Sequence, residues 1–284
     1  MKYDGEKNYK HGSKEHVGIL ITNLGTPDKP KRKELRVYLK EFLSDPRVIE
    51  VPRLLWQVIL RLVILNVRPQ KVAKLYKSIW RKEGGPLLVM LEKQKKGIKK
   101  ILNKKYKNMK VEIAMRYGNP SIKNGLEKLR KQGCRKILVF PLYPQYCAAT
   151  TGSTFDKVTE VLRGWRWIPE MRFVNNYFEN NMYISCLVDS IKNSWKKTGK
   201  SQKLIFSYHG VPKKYLLKGD PYHCFCQKTT RLVVEKMKLK EKDYITTFQS
   251  RFGPDEWLKP YTDKTLEGFP SQGIKKVHIL SPGF

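Results

Sequence analysis

Lys203-Leu204-Ile205-Phe206-Ser207-Tyr208-His209-Gly210-Val211-Pro212 is the stretch on which the fold turns. Leu204 to Phe206 is a run of strand formers, the polar and aromatic step Ser207-Tyr208-His209 follows, and Gly210 and Pro212 then turn the chain. In an open parallel α/β sheet, ligands bind outside the carboxyl ends of the strands. The spacing puts His209 at such an end, on a side chain that takes up or releases a proton near neutral pH. A loop histidine that only hydrogen-bonds a backbone carbonyl fits the same residues, and the choice between the two rests on the rest of the chain.

Working outward, the same punctuation recurs on both sides. Val17 to Thr22 reads as a buried strand running into Asn23-Leu24-Gly25-Thr26-Pro27, where Gly25 is expected to let the backbone approach a ligand closely. Val111 to Met115 ends at Arg116-Tyr117-Gly118-Asn119-Pro120. Ile137 to Leu142 delivers Tyr143-Pro144-Gln145-Tyr146 and then Thr150-Thr151-Gly152-Ser153-Thr154 at a helix start. Arg172 to Val174 is a short strand. Beyond His209, Tyr244 to Phe248 ends in Gln249-Ser250-Arg251-Phe252-Gly253, and Val277 to Leu280 in Ser281-Pro282-Gly283-Phe284. Helical periodicity fills the gaps at Lys33–Leu43, Ser121–Gln132, Met182–Trp195 and Cys226–Met237. Strand and helix patterns alternate, the βαβ signature of an α/β protein with mostly parallel sheets flanked by helices. Two similar halves, 1–178 and 179–284, follow, without a short-period repeat. Their strand ends would line one cleft between them, apolar and aromatic with a few polar groups, as small-molecule sites are.

Pro52 opens a further helix whose apolar face, Leu54, Leu55, Val58, Ile59, Leu62 and Val63, is wider than a surface helix needs. It either covers the sheet or forms the rim of an apolar ligand cleft in contact with a bilayer surface. Leu54 to Val67 is broken by Arg61 and too short to span a membrane. Met1 to His16 has no apolar core, so neither a signal peptide nor an anchor is expected there.

The composition narrows the function. Lys and Arg number 58 against 25 Asp and Glu, a formal charge of +33. Such a charge favours nucleic acid, anionic headgroups or a polycarboxylate. The lysines are spread along nearly every helix, however, and no Lys/Arg block interleaves with aromatics as a nucleic-acid module requires, so no nucleic-acid partner is expected. Five cysteines argue against a disulfide framework and for a reducing, cytoplasmic setting. No Gly-x-Gly-x-x-Gly follows the first strand, which argues against a dinucleotide site there. His223-Cys224-Phe225-Cys226 lacks a second ligand pair and reads as an exposed helix start rather than a metal site.

In order along the chain, Asn23-Leu24-Gly25-Thr26-Pro27, Gly84-Gly85-Pro86-Leu87, Met115-Arg116-Tyr117-Gly118, Tyr143-Pro144-Gln145-Tyr146 with Thr150-Thr151-Gly152-Ser153, Ser207-Tyr208-His209-Gly210-Val211-Pro212 with Gly219-Asp220-Pro221-Tyr222, Phe248-Gln249-Ser250-Arg251-Phe252-Gly253 and Ser281-Pro282-Gly283-Phe284 resemble the ferrochelatases. These enzymes insert ferrous iron into protoporphyrin IX. Each motif alone is loose; the set in this order is specific, and its Tyr-His-Gly and Ser-Pro-Gly-Phe forms resemble the proteobacterial branch, which implies protoporphyrin as substrate. The resemblance implies a type II chelatase fold, with porphyrin between two α/β halves and His209 as the active-site residue facing the pyrrole nitrogens or the metal. It implies ferrous iron as substrate with no further cofactor, and a partner glutamate and a C-terminal helix beyond Phe284, so the chain is expected to be truncated. A porphyrin-binding chain without catalysis, or a related chelatase for cobalt or nickel, are the other readings.

The chemistry runs beside the family likeness. Metal insertion needs an acceptor for pyrrole protons, and imidazole has a suitable pKa. Ferrous iron must be held loosely, which suits one imidazole with oxygen ligands rather than a closed thiolate cage. As proton acceptor or as metal ligand, His209 needs the same neutral imidazole, and the two roles stay open. Arg116, with Ser153 and Thr154, is expected to meet the propionates, because guanidinium pairs with carboxylate bidentately; a structural salt bridge is the alternative for Arg116. Leu24, Tyr143 and Gln145 are expected to line the substrate site. Tyr117 and Tyr208 fit either packing on the macrocycle or filling the core.

Overall fold

β1 (His16–Thr26) is apolar on both faces because both are covered. It lies second in a parallel sheet of order β2-β1-β3-β4, with β2 Met109–Gly118, β3 Cys134–Pro141 and β4 Glu170–Phe173. Alternation decides which residue goes where. Leu20, Ala114, Ile137 and Val139 point to one face, under α5 (Ile122–Lys131) and α6 (Ser153–Leu162). Ile19, Ile21, Ile113 and Met115 point to the other, against Leu91 of α4 (Pro86–Lys105). Helix ends follow local chemistry. Pro86 opens α4 at its first position. The Ser121 hydroxyl accepts from the Asn124 N–H and the Asn124 side chain accepts from the Ser121 N–H, a closed capping box that starts α5.

α1 (Arg32–Leu43), α2 (Arg53–Ile59) and α3 (Leu65–Ile79) form a third layer. Between α2 and α3 the chain makes a π-helical turn, Leu60–Ile64. Trp56 and Leu60 are buried four residues apart; the next buried position, Leu65, comes five later. The extra residue of the π turn keeps both pairs facing Leu35, Tyr38, Leu39 and Leu43 of α1. The price of that register is that the opposite side of α2–α3 stays bare, with Leu54 86%, Leu62 69% and Leu75 68% exposed.

β5 (Lys203–His209) is the centre of a second parallel sheet, β6-β5-β7, with β6 Tyr244–Gln249 and β7 Val277–Leu280. Around it lie α7 (Asn181–Thr198), α8 (Lys213–Leu217), α9 (Tyr222–Met237) and α10 (Thr262–Gly268). Asn180 caps α7 by accepting from the Met182 and Tyr183 N–H groups. Leu204, Ile205, Phe206, Tyr208, Val233 and Phe248 are its buried core.

The computed structural model describes residues 3–7 and 9–283, so Phe284 of the last motif and Met1 lie outside it. The chain divides into two compact units, 1–142 with 148–175, and 143–147 with 176–284. The sequence places the division at 178/179 and gives Tyr143-Pro144-Gln145 to the first half. These residues instead belong to the second unit, where the Tyr177 N–H donates to the Pro144 carbonyl at 2.9 Å.

Candidate functional site

His209 is the last residue of β5, paired in register with Gln249. Its Nδ1 donates to the Gly210 carbonyl at 2.7 Å; a carbonyl only accepts, so Nδ1 carries the hydrogen and the lone pair is on Nε2. The two sequence readings of His209 are therefore compatible, since the backbone bond fixes the tautomer that chemistry at Nε2 requires. Burial pushes the imidazole below its ordinary value of 6.5, and the bond to Gly210, which works the other way, does not restore it. The neutral form is favoured. The Tyr222 hydroxyl donates to the His209 carbonyl at 2.9 Å and holds the strand end. A Cβ on Gly210 would lie 2.9 Å from the Gln249 carbonyl oxygen and 3.2 Å from Trp257 Cε3, so the turn after His209 needs glycine to pack. Trp257 lies beside the imidazole, with ring centroids 6.5 Å apart. On the neighbouring strand end, Ser250 holds a left-handed backbone, φ 68°, a conformation uncommon for residues other than glycine.

The first unit has a second polar centre, at the ends of β2 and α1. Asp45 Oδ2 accepts from Arg116 Nη2 at 2.5 Å, the Ser153 hydroxyl at 2.5 Å and the Tyr117 hydroxyl at 2.8 Å. Its Oδ1 accepts from the Arg47 N–H at 2.8 Å. Arg116 Nε donates to the Ser153 carbonyl and hydroxyl at 2.9 and 2.6 Å, and its guanidinium lies 4.4 Å from the Tyr117 ring centroid. The side chains of Asp45 and Arg116 are 3% and 11% exposed. Burial pushes the Asp45 carboxyl up, but the Ser153 bond, the Arg116 charge and the Tyr117 bond together leave it below its ordinary value. Burial pushes the Tyr117 phenol far up. Asp45 and Arg116 line a 520 Å³ cleft together with Lys40, Glu41, Arg53 and Lys157.

Most of the expected substrate residues lie inside the protein. Tyr117, Tyr143, Gln145, Ser153, Thr154 and Tyr208 are each 2% exposed or less. Tyr208 shares a hydrogen bond with Thr230 at 3.0 Å, and Thr154 donates to the Thr150 carbonyl at 3.0 Å. Gln145 donates to Thr229 at 3.0 Å and to the Pro282 carbonyl at 3.4 Å, and the Tyr183 hydroxyl donates to that same carbonyl. A Cβ on Gly283 would come within 2.4 Å of Gln145 Oε1, so Gln145 and Gly283 lock the end of the last strand in place. Leu24, Arg116 and His209 alone among the expected residues keep some surface. Gly25, expected to meet a ligand, meets protein instead: its φ is 129° and a Cβ there would fall 1.8 Å from the Tyr117 carbonyl oxygen. His223-Cys224-Phe225-Cys226 is not an exposed start, since Cys226 is wholly buried and His223 stacks on Phe248 with centroids 5.6 Å apart. Among the described residues no three or more His, Cys, Asp or Glu side chains gather in a cluster that could hold a metal ion.

Asp45 and Trp257 are the residues the sequence did not yield. Asp45-Pro46 reads only as the stop after α1, and Trp257 follows a loop with no periodic pattern.

The ferrochelatase family model matches residues 16–284. The chain is 53% identical over 285 residues to the ferrochelatase of Thioalkalivibrio sulfidiphilus, covering 100% of this chain and 77% of that protein. It is 52% identical to the ferrochelatase of Marinobacter nauticus, again over 100% and 77%. To that of Alcanivorax borkumensis it is 50% identical, over 100% of this chain and 84% of the relative. Among solved structures, SirB from Bacillus subtilis with Fe3+ aligns over 93% of this chain and 75% of its own with a TM-score of 0.47 at 15% identity. With a family match across nearly its whole length and relatives at about half identity, the chain belongs to the ferrochelatase family.

Proposed function

We propose that this chain inserts ferrous iron into protoporphyrin IX, with His209 as the group that acts on the reacting atoms. The observation that carries the assignment of His209 is its fixed tautomer, a neutral imidazole with Nδ1–H tied to Gly210 and the lone pair on Nε2 at the carboxyl end of the central strand. The reaction exchanges two pyrrole protons for one ferrous ion with no change of oxidation state, so it needs a proton acceptor and a weak ligand and no resident cofactor. The Nε2 lone pair supplies either function. Arg116 spends Nε and Nη2 on Ser153 and Asp45, and Nη1 is the face we assign to a propionate. Ser153 and Thr154, both buried, instead donate to the Asp45 carboxylate and the Thr150 carbonyl. Leu24 supplies apolar contact. Relatives named ferrochelatase favour iron over cobalt or nickel, and catalysis over porphyrin handling.

The test is anaerobic ferrous insertion followed by porphyrin absorbance. His209→Ala is expected to bind porphyrin, read by fluorescence quenching, and to lose about a hundred-fold or more of the rate. Normal metallation by that variant would overturn the assignment.

We also place the protein in a reducing cytoplasm, since an odd count of five cysteines argues against a disulfide framework, and at a membrane surface rather than through it. No helix among the described residues is long and apolar enough to cross a membrane. Leu54, Leu55, Val58, Leu62, Val63 and Val67 nonetheless stand more than half exposed on one helical segment. No nucleic acid enters this reading.

A further inference from the structure

We infer that the outer face of α4 docks an acidic amphipathic helix of a partner protein, which approaches closest at Gly97. Leu87, Leu88, Leu91, Ile98 and Leu102 hold the inner face of α4 on the first sheet. The outer face carries the charge. Between Glu92 and Glu112 the chain has nine lysines, no arginine and no acid. Among the described residues only Lys95 of the nine has an acidic partner, Glu112 at 2.9 Å. Lys93, Lys96, Lys100 and Lys104 are exposed and follow one another at three- or four-residue steps, a row about 17 Å long.

A second row runs beside the first. Met90, Gln94, Gly97 and Ile101 are spaced by four, three and four residues, as along a seam between two helices, and Met90 and Ile101 are 44% and 64% exposed. Gly97 lies in the middle of this row and well inside the helix, where glycine is less stable than alanine. No contact within the chain requires it, because a Cβ there would meet no atom within 4 Å. The glycine leaves a hollow ringed by Lys93, Lys100 and Ile101, one turn away on either side, and a side chain of a partner fits there. Charge and shape together select that partner. A second copy of the same helix would set lysine against lysine along the seam. Nucleic acid would meet the lysines, but the stretch has no arginine for bidentate phosphate contacts, and Met90, Gly97 and Ile101 would go unused. A helix with apolar residues facing Met90 and Ile101 and with acids on its flanks satisfies both rows, since charges beside a seam choose the partner.

The test is fluorescence anisotropy of a labelled three-heptad peptide, with leucine along its seam and glutamate on both flanks, titrated with the whole chain. The same peptide with lysine flanks, an oligothymidylate and inorganic polyphosphate are the comparisons. The glutamate peptide is expected to bind and the lysine peptide to stay free. Binding should weaken about ten-fold or more between about 0.1 M and about 1 M salt, as the screening length shrinks from about 10 Å to about 3 Å. Lys93→Glu/Lys100→Glu should weaken the glutamate peptide about ten-fold or more, with an unchanged circular dichroism spectrum. Gly97→Gln fills the hollow with a better helix former; it should melt no lower than the unmodified chain and yet bind about ten-fold more weakly. Equal binding of the two peptides, or binding of neither, overturns the inference. So does tighter binding of oligothymidylate or polyphosphate than of the glutamate peptide, unchanged binding by Gly97→Gln, or a dimer in sedimentation equilibrium that Ile101→Gln dissociates.

Discussion

Asp45→Asn tests whether the network beneath the first unit's cleft is held by one carboxylate. Three donors converge on Oδ2, the Arg116 guanidinium and the hydroxyls of Ser153 and Tyr117. The amide keeps one oxygen, which can still serve the Arg47 N–H, and places an NH2 where the three donors meet. The hydroxyls can rotate to donate elsewhere, but Arg116 cannot lose its charge. With side chains only 3% and 11% exposed, water does not compensate the guanidinium. Breaking a buried pair from one side costs about 3–5 kcal/mol. At about 2–4 °C per kcal/mol for a unit of this size, its thermal transition should fall by about 6–20 °C. Differential scanning calorimetry measures the shift. Asp45→Asn/Arg116→Met should recover most of it, because the uncompensated charge is gone. The acid limb supplies a second reading. The Asp45 carboxyl sits below its ordinary 3.8 in the folded chain, so its contribution is present above that value and is lost as pH falls through the lower native one. Asp45→Asn removes that segment of the acid unfolding curve. A variant melting within about 1 °C of the unmodified chain would mean that the network is not held as described.

Other outcomes follow from close contacts. Gly25→Ala should destabilise the first unit by about 3 kcal/mol or more, since the new Cβ meets the Tyr117 carbonyl in a left-handed region; urea unfolding measures it. Gly283→Ala should destabilise the second unit through its collision with Gln145, and Gln145→Ala/Gly283→Ala should be more stable than Gly283→Ala alone, which a denaturation series on the three variants decides. Trp257→Phe should keep porphyrin metallation within a few-fold of the unmodified rate, whereas Gly210→Ala, which pushes into both Trp257 and the Gln249 carbonyl, should lose it along with the geometry of His209; steady-state kinetics at fixed iron separates them.

Strand placement was legible because apolar runs ending in Gly and Pro have few alternatives. β7 lies at Val277–Leu280 as read, and β1 and β2 run only a few residues longer than their apolar cores. α8 and α10 were missed because five and seven residues are too few to display a helical period. The Asp45 network was out of reach for another reason. Its partners Arg116 and Ser153 are 71 and 108 residues away, and nothing local in Asp45-Pro46 distinguishes a helix stop from a charge anchor. The assignment of Tyr143-Pro144-Gln145 to the second unit depends on partners such as Thr229 and Pro282, equally remote in sequence.

The expected site residues show how far a strand-end reading can be carried. Successive side chains on a strand point to opposite faces. On β5 this is enough to separate neighbours. Tyr208 turns inward to Thr230, which leaves His209 on the other side with its imidazole at the strand end, so the two were never candidates for the same surface. On β2 the same rule misleads. Arg116 is long enough to fold back over the Tyr117 ring, 4.4 Å from its centroid, and both side chains end on Asp45 Oδ2. Parity sorts short or rigid side chains at strand ends; a long one is sorted by whichever charge it can reach. For Arg116 that charge is supplied by Asp45, and the anchoring is what leaves Nη1 as the part of the guanidinium we assign to substrate.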